Sequence, residues 1–489
     1  MAHKTLLAID QGTTSSRSIL FSEFGEVLDI AQKELEIITP HSGWVEQDPK
    51  HIWDDVLQTA NVVLKRANIK PTALGITNQR ETTIIWDRST GEPVYNAIVW
   101  QDRRTADLCN RLRAEGYEEL ITDKTGLLLD PYFSATKIAW ILDNVNGARE
   151  RAEKGELAFG TPESWVIWNL TGGKKHVSDA TNASRTMLYN IREQCWDNEL
   201  LEMLDIPKSL LPEVLDNVAD FGVADALTQP LKICGAAGDQ QAALIGQACF
   251  DKGMIKSTYG TGCFALMNIG SEFSVSKNRL LTTCAYCLNG NITYALEGSV
   301  FIAGAAIQWL RDGLQLFGSA PESEALALSV KDNGGVYMVP AFTGLGAPYW
   351  EPEARGLICG LGRETEKAHI ARAALEAQAY QTLDLIGAMC DDSGIAIDTI
   401  RIDGGLSRND FMCSFLSDIL NRDVEVPKVN EATAWGAAVL AAIGIGVFED
   451  FEDAKTRWQR QKLFQSSMTV SERDKLCQGW KEAILKVRS

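Results

Sequence analysis

The chain has 489 residues, of which 45% are hydrophobic and 23% charged, and its formal net charge is −18. A chain of this length exceeds what one hydrophobic core usually supports, so we expect at least two domains. The acidic balance argues against nucleic acids and anionic membrane surfaces as partners, since both attract basic proteins.

Short β-like runs alternate with helical segments along the first half of the chain, which is typical of an α/β fold. Asp48 followed by Pro49 predicts the start of a helix, because Asp caps helices well and Pro suits the first turn. Further helices are predicted at residues 104–113 and 136–144. The predicted strands of this half cover residues 6–9, 18–21, 26–32, 73–77, 82–86 and 233–238.

The same alternation continues in the second half. Helices are predicted at residues 303–316, 368–389, 411–420 and 433–442, and strands at 255–258, 263–268, 335–340, 399–402 and 423–426. The residues after about 449 are expected to form peripheral helices. We place the domain boundary near residues 250–253, which gives domains of residues 1–250 and 251–489.

The apolar segments and the cysteines indicate a cytoplasmic protein. No apolar segment of the secretory type precedes Asp10, and the longest apolar stretch, residues 434–448, is too short and too rich in glycine to cross a bilayer. The eleven cysteines follow no disulfide framework. Cys284 and Cys287 form a Cys-x-x-Cys pair, but no histidine lies near them in the sequence, so we assign them no metal site.

A turn rich in hydrogen-bond donors follows the first predicted strand. The strand ends at Asp10, and the turn continues with Gly12, four hydroxyl residues and Arg17; the hydroxyl residues are Thr13, Thr14, Ser15 and Ser16. Backbone N–H groups and hydroxyls in such a turn can hold phosphate oxygens, and the carboxylate can reach Mg²⁺. The alternative is an ordinary hairpin turn, which is often rich in Ser and Thr.

Two similar turns occur later in the chain. Asp403, at the end of a predicted strand, precedes Gly404 and Gly405, and a second turn at residues 259–262 reads Tyr-Gly-Thr-Gly. The chain thus has three glycine-containing turns, each of which follows a predicted strand, and they occur in both halves. This pattern fits two related α/β domains that face each other across a nucleotide.

Asp239 is the candidate catalytic base. It follows a predicted strand of small residues and precedes Gln240 and Gln241. In phosphoryl transfer a carboxylate commonly accepts the proton of the attacking hydroxyl. The alternative is that Asp239 only caps a helix that begins at Gln240.

Arg80 and Glu81 lie in a turn between two predicted strands and are candidates for binding a polyol. A guanidinium donates hydrogen bonds and a carboxylate accepts them, so the pair can hold neighbouring hydroxyls. The alternative is a surface turn with a salt bridge. Trp100 and Tyr132 can supply an apolar wall and a hydroxyl, although aromatic residues at such positions are commonly part of a core.

The chain lacks a P-loop, a protein-kinase signature and a Gly-x-Gly-x-x-Gly after its first strand. Between about residue 5 and residue 445 it resembles the FGGY carbohydrate kinase family, which has the actin-like ATPase superfold. The segments that carry the resemblance are residues 10–17, 75–82, 100–105, 130–140, 238–241, 259–262, 342–350 and 403–405.

This resemblance implies two actin-like (ribonuclease-H-like) α/β domains with a cleft between them. The N-terminal domain would bind substrate and phosphate, and the C-terminal domain would bind the nucleotide. The implied reaction is ATP-dependent phosphorylation of a primary hydroxyl of glycerol, the first step of glycerol catabolism. The residues that the motifs assign to glycerol are Arg80, Glu81, Tyr132, Asp239, Gln240, Trp100 and Phe264, with Asp239 as the base.

The resemblance also assigns residues to ATP and to magnesium. Asp10 would help to hold Mg²⁺ through water. The ATP phosphates would contact Thr13, Thr14, Ser15, Arg17 and Thr261. The adenosine end would contact Gly304, Gln308, Gly405 and Asn409.

Two alternatives remain open at this point. One is a kinase of the same family that acts on another small polyol or on a five- or six-carbon ketose. The other is a non-catalytic actin-like scaffold that binds ATP, which would need the phosphate turns but not Asp239 or the Arg80–Glu81 pair. We also expect a homo-oligomer, either a dimer or a tetramer.

Overall fold

A computed structural model describes residues 3–67, 69–351, 353–397 and 399–488. The strands up to residue 238 are β1 (Thr5–Gln11), β2 (Ser15–Ser22), β3 (Val27–Glu34), β4 (Glu46–Gln47), β5 (Ala73–Asn78), β6 (Ile84–Asp87), β7 (Ala97–Ile98), β8 (Leu157–Gly160), β9 (Val177–Asp179), β10 (Tyr189–Asn190), β11 (Cys195–Trp196), β12 (Glu213–Leu215) and β13 (Ile233–Gly238). The helices up to residue 246 are α1 (Pro49–Arg66), α2 (Ala106–Ala114), α3 (Glu118–Thr125), α4 (Ser134–Asn144), α5 (Ala148–Glu153), α6 (Pro162–Leu170), α7 (Ala180–Ala183), α8 (Asn198–Met203) and α9 (Asp239–Gly246).

The remaining elements follow the same alternation. The strands are β14 (Ile255–Tyr259), β15 (Cys263–Gly270), β16 (Leu281–Leu288), β17 (Asn291–Val300), β18 (Tyr337–Val339), β19 (Leu357–Cys359), β20 (Thr399–Asp403), β21 (Asp423–Pro427) and β22 (Arg460–Phe464). The helices are α10 (Gly304–Asp312), α11 (Ala320–Ser329), α12 (Lys367–Ser393), α13 (Asp410–Leu420), α14 (Ala432–Gly444), α15 (Phe451–Lys455) and α16 (Val470–Val487), with short 3₁₀ turns at Lys208–Leu210 and Gly405–Arg408.

The two main sheets share one topology. In the five-stranded sheet, of order β13-β5-β1-β2-β3, the strands β1, β2 and β3 form an antiparallel meander, and β1, β5 and β13 run parallel. In the seven-stranded sheet, of order β16-β17-β15-β14-β20-β21-β22, the neighbours β14, β15 and β17 are antiparallel, with β16 at the edge beyond β17, and β14, β20 and β21 run parallel. The carboxyl ends of parallel strands are where open α/β sheets bind ligands.

Strand β1 is buried on both faces, which explains its unbroken apolar sequence. Leu7 and Ile9 pack in one cluster with α1, whereas Leu6 and Ala8 pack in another with α14. Helix α1 begins as predicted, since the side chain of Asp48 accepts a hydrogen bond of 2.8 Å from the N–H of Lys50.

Helices α9 and α14 touch through their backbones. A Cβ atom on Gly436 of α14 would lie 1.8 Å from the carbonyl oxygen of Ala242 on α9, and one on Gly246 of α9 would lie 1.9 Å from that of Ala432. Helix α14 also reaches the first sheet, where a Cβ on Gly75 would meet the carbonyl oxygen of Ala437 at 2.0 Å. Because α14 lies between β21 and β22 of the second sheet in the chain but packs on the first sheet, the division at residue 250 stays a proposal.

Most predicted elements are found within a few residues of their predicted bounds, but two predictions need correction. The chain after residue 449 is not purely helical, since β22 pairs antiparallel with β21 at the edge of the second sheet. Its sequence, Arg-Gln-Lys-Leu-Phe, carries the charges that protect edge strands and so lacks an apolar pattern. The helix predicted over residues 303–316 ends at Asp312. Among the described helices, none is both long and apolar enough to cross a bilayer.

Candidate active site

Asp239 is the first residue of α9 and follows the buried strand β13 directly. Its carboxylate accepts a hydrogen bond of 2.6 Å from the N–H of Gln240 and lies 3.1 Å from Nε of Arg80, while 31% of the side chain stays exposed. Burial by the surrounding protein raises the pKa of Asp239, and the cations Arg80 and Lys256 oppose that rise. The side chain therefore contributes to the helix start and is also an accessible proton acceptor.

Arg80 and Glu81 are buried, which rules out the surface-turn alternative. Arg80 donates to both carboxylate oxygens of Glu297, at 2.6 and 2.9 Å, and to the side chain of Gln241 at 3.2 Å. Nε of Arg80 lies 3.8 Å from the Glu81 carboxylate. Glu81 has a φ of 61°, which costs a non-glycine residue energy and commonly occurs at functional sites.

Two charged residues of this group, Glu297 and Arg185, are absent from the sequence predictions. Arg185 donates to Glu81 at 2.6 Å and to Glu297 at 3.1 Å. Although burial opposes ionisation of Glu297, the guanidinium groups of Arg185 and Arg80 lower its pKa to about 2. In the sequence, Glu297 could be noticed as the single carboxylate within the mostly apolar strand β17.

Lys256 was also missed, and it links the second sheet to α9. It lies on β14, is fully buried, and donates to the side-chain oxygen of Gln240, to Oγ1 of Thr258 at 2.9 Å and to the carbonyl of Phe264 at 3.3 Å. Burial lowers the pKa of Lys256, while the carboxylates of Asp403 and Asp239 oppose that effect. The cation thus joins Gln240 and Phe264, two of the residues predicted to bind glycerol.

Trp100 and Tyr132 contact each other beside the β1–β2 turn. Their ring centroids are 5.4 Å apart, and the indole N–H of Trp100 donates to Oγ1 of Thr13 at 2.9 Å. The buried ammonium of Lys137 donates to the carbonyls of Tyr132 and Phe133, at 2.6 and 2.9 Å. Both predicted aromatic residues are partly exposed, so they are wall residues rather than core residues.

The turn after β1 is held rigidly by backbone contacts. Gln47 donates to the carbonyl of Thr13 at 2.6 Å, and the carbonyl of Thr14 accepts from the N–H of Leu35 at 2.9 Å. Thr14 is exposed, and Thr13 and Ser15 are partly exposed. The turn therefore presents hydroxyls on a fixed backbone.

Arg17 contacts carboxylates from both halves of the chain. It forms an ion pair with the buried Asp10 and a second one, of 2.6 Å, with Glu431. Burial raises the pKa of Asp10, and the charge of Arg17 opposes that rise. Arg17 and Asp10, which the sequence assigned to phosphate and to magnesium, thus neutralise each other here.

The residues predicted for the nucleotide lie at the ends of β14 and β20. The carbonyls of Gly260 and Thr261 accept from the N–H groups of Gly304 and Ala305, at 2.9 and 3.1 Å, which joins the turn after β14 to the start of α10. Gly405 is exposed beside this turn, and Gln308 is exposed on α10. Asn409 uses its side chain to cap α13, through a 2.9 Å hydrogen bond from the N–H of Met412.

Cys284 and Cys287 are buried thiols on β16. Burial raises the pKa of Cys287 to about 12, which keeps the thiol protonated and unreactive. Within the part of the chain that the structure describes, no three His, Cys, Asp or Glu side chains are grouped so that they could hold a metal ion.

Comparison with known proteins gives the family of the chain. Residues 5–246 match the N-terminal domain, and residues 255–445 the C-terminal domain, of the FGGY family of carbohydrate kinases. The glycerol kinase of Nitrosomonas eutropha is 60% identical over 485 residues, which are 98% of this chain and 97% of that protein. The glycerol kinase of Alteromonas mediterranea is 57% identical over 489 residues, with 99% of each chain covered.

A solved structure supports the same relationship. The crystal structure of Plasmodium falciparum glycerol kinase with ADP superposes with a TM-score of 0.94 at 36% identity, and covers 99% of this chain and 98% of that one. The predicted fold class, two actin-like α/β domains, is therefore confirmed. The chain belongs to the FGGY family of carbohydrate kinases.

Proposed function

We propose that this kinase transfers the γ-phosphoryl group of ATP to a terminal hydroxyl of glycerol and so forms sn-glycerol 3-phosphate. The observation that carries the proposal is the 3.1 Å contact between Nε of Arg80 and the partly exposed carboxylate of Asp239. It puts a proton acceptor beside a buried guanidinium that can bind a hydroxyl. The relatives named glycerol kinase, at 57–60% identity over nearly the whole chain, support glycerol as the substrate.

The proposed chemistry is an in-line displacement. Asp239 accepts the proton of the attacking hydroxyl, the hydroxyl oxygen bonds to the γ-phosphorus, and the bond to the β-phosphate oxygen breaks to release ADP. A carboxylate whose pKa is raised by burial is a stronger proton acceptor than an exposed one. Arg80, Glu81 and Gln240 would hold the glycerol hydroxyls, and Tyr132, Trp100 and Phe264 would enclose its carbon atoms.

The phosphates would bind at the two turns. Thr13, Thr14 and Ser15 present hydroxyls on the β1–β2 turn, and Thr261 presents one on the turn after β14. Arg17 would exchange a carboxylate partner for phosphate oxygens, which guanidinium groups bind strongly. The adenosine would lie along Gly304, Gln308 and Gly405, with Asn409 nearby.

Magnesium is the metal that this family implies, and the donor set fits it. Mg²⁺ usually takes one or two carboxylates together with phosphate oxygens and water. Asp10 supplies such a carboxylate at the end of β1, buried to 3% exposure and close enough to Asp239 to raise its pKa. When bound, the metal would neutralise charge on the phosphates. The homo-oligomer and the cytoplasmic location stay predictions.

A substrate panel tests the proposal. ADP release is measured with glycerol, dihydroxyacetone, glyceraldehyde, xylulose, ribulose and gluconate in parallel. We expect the highest kcat/KM with glycerol. A higher value with a ketopentose or gluconate would leave the family membership intact and overturn the proposed substrate. ATP binding without any acceptor-dependent turnover would favour a scaffold.

Asp239→Asn tests the role of the base. We expect a fall in kcat of roughly 100- to 10,000-fold, because general-base catalysis contributes about that much. Much of the affinity for glycerol should be kept, because asparagine still offers hydrogen-bonding groups. Asp225→Asn is the matched control, since Asp225 is exposed and pairs with Lys174 far from the cleft. If Asp239→Asn kept the kcat of the parent, Asp239 would act only in the helix start.

A further inference from the structure

Arg185 occupies the centre of the charged group beneath the candidate polyol site. It lies two residues after the end of α7, and its side chain has no exposed surface. Nε donates to Glu81 at 2.6 Å, and Nη2 donates to Glu297 at 3.1 Å. Its guanidinium carbon lies 5.8 Å from the ring centroid of Tyr132 and 5.3 Å from that of Phe133, both within the range of a cation–π contact. Three of these four partners, Glu81, Glu297 and Tyr132, carry polar groups.

Each of these three partners bears on a residue proposed to bind glycerol. Glu81 and Tyr132 are two such residues. Glu297 accepts hydrogen bonds from both terminal nitrogens of a third such residue, Arg80, at 2.6 and 2.9 Å. The four charges alternate in sign, in the order Arg80, Glu297, Arg185 and Glu81, so that every ion in this buried group faces an opposite charge.

We propose that Arg185 is a positioning residue of the polyol site, which orients the carboxylate of Glu81 and fixes Arg80 through Glu297. This inference rests on the proposed function. A buried ion pair alone is weak evidence for a functional role. Here, however, two partners of the buried cation, Glu81 and Tyr132, are groups proposed to meet the substrate, and Glu81 holds an unfavourable backbone conformation at φ 61°.

The protonation of Glu81 provides the test that separates positioning from simple structural support. Burial raises the pKa of Glu81, Arg80 and Arg185 lower it, and Glu297 raises it further. Tyr132 and Lys137 are the other titratable groups whose charges couple to Glu81. Without Arg185, the remaining cations are Arg80, at 3.8 Å, and Lys137, so the pKa of Glu81 would rise further and Glu81 would bind a proton at a higher pH.

The experiment compares Arg185→Gln with Arg185→Lys over pH 6 to 9 and records the KM for glycerol and for ATP separately. For Arg185→Gln we expect a glycerol KM at least roughly tenfold above the parent's, because a charge-assisted hydrogen bond is lost. That KM should rise further as the pH falls, while the KM for ATP stays near the parent's. Arg192→Gln, at an exposed position seven residues later, is the control and should match the parent.

The Arg185→Lys variant keeps the proposal testable if Arg185→Gln does not fold. The ammonium of lysine restores the positive charge, but it cannot bridge Glu81 and Glu297 as the planar guanidinium of arginine does. We therefore expect a raised glycerol KM with a pH profile like that of the parent. Unchanged glycerol KM values and pH profiles in the folded variants would overturn the inference. Failure of the parent protein to phosphorylate glycerol would instead overturn the proposed function.

Discussion

The ammonium of Lys256 donates a hydrogen bond to the side-chain oxygen of Gln240, and so joins a strand of the second sheet to the helix that begins at Asp239. The amide N–H₂ group of Gln240 is then left to bond other partners. The same cation lowers the pKa of Asp239 against the effect of burial. A residue from one half of the chain therefore sets both the orientation and the charge of residues in the other half.

Lys256→Met should shift the pH dependence of the reaction. The base is active only when it is deprotonated, so kcat/KM falls as the pH falls through the pKa of Asp239. Removal of the Lys256 charge removes one of the two cations that lower this pKa, while Arg80 and Asp10 keep their opposite effects. The pKa of Asp239 therefore rises, and the acidic limb of the pH profile moves to higher pH. Lys252→Met, at an exposed position nearby, is the control and should leave the pH profile unchanged. If Lys256→Met had the same pH profile as the parent protein, Lys256 would have no electrostatic effect on Asp239.

Arg17→Gln should weaken the use of ATP and spare glycerol. Charge-assisted hydrogen bonds to phosphate are strong, so we expect the KM for ATP to rise by roughly 10- to 100-fold. Glycerol affinity, measured by calorimetry without nucleotide, should barely change. Arg66→Gln is the control, because Arg66 is 60% exposed at the end of α1. A large loss of glycerol affinity with normal ATP kinetics would put Arg17 outside the nucleotide site.

Local sequence predicted the elements and many of the candidate residues, but not the contacts that hold them. Asp239 could be recognised because strand, turn and helix lie within a few residues of it. Glu297 could not be recognised in the same way, since its partner Arg80 is 217 residues away and only the packing of β17 against the first half brings them together. The roles of Arg185 and Lys256 likewise depend on partners from distant parts of the chain.

Gly436→Ala should destabilise the contact between α9 and α14. The added Cβ would lie 1.8 Å from the carbonyl oxygen of Ala242, so the two backbones must separate. Overpacking of this kind costs about 1–3 kcal/mol, and the thermal midpoint should fall. Gly387→Ala is a matched control inside α12, where no atom lies within 4 Å of the new Cβ. There the helix propensity of alanine should stabilise the protein by about 0.5–1 kcal/mol. Equal midpoints for the two variants would contradict the close contact.

Substrate analogues probe the hydrogen bonds of the polyol site directly. Glycerol has three hydroxyls and little apolar surface, so its affinity must come from the polar groups of Arg80, Glu81, Asp239 and Gln240. A site built to bind a hydroxyl rejects an analogue that lacks it, because a buried polar group is then left unpaired. Propane-1,2-diol should therefore have a kcat/KM lower than that of glycerol by roughly 100-fold or more.

Analogues that keep an oxygen on every carbon should behave differently. Dihydroxyacetone and glyceraldehyde should remain usable, because each offers a polar atom to every partner. Ketopentoses should be poor, since we expect Trp100 and Phe264 to close the pocket behind the third carbon. Widening that wall with Phe264→Ala should raise the ratio of kcat/KM for xylulose to that for glycerol. If Phe264→Ala left this ratio unchanged, and propane-1,2-diol had the same kcat/KM as glycerol, neither hydrogen bonding nor the aromatic wall would determine the choice of substrate.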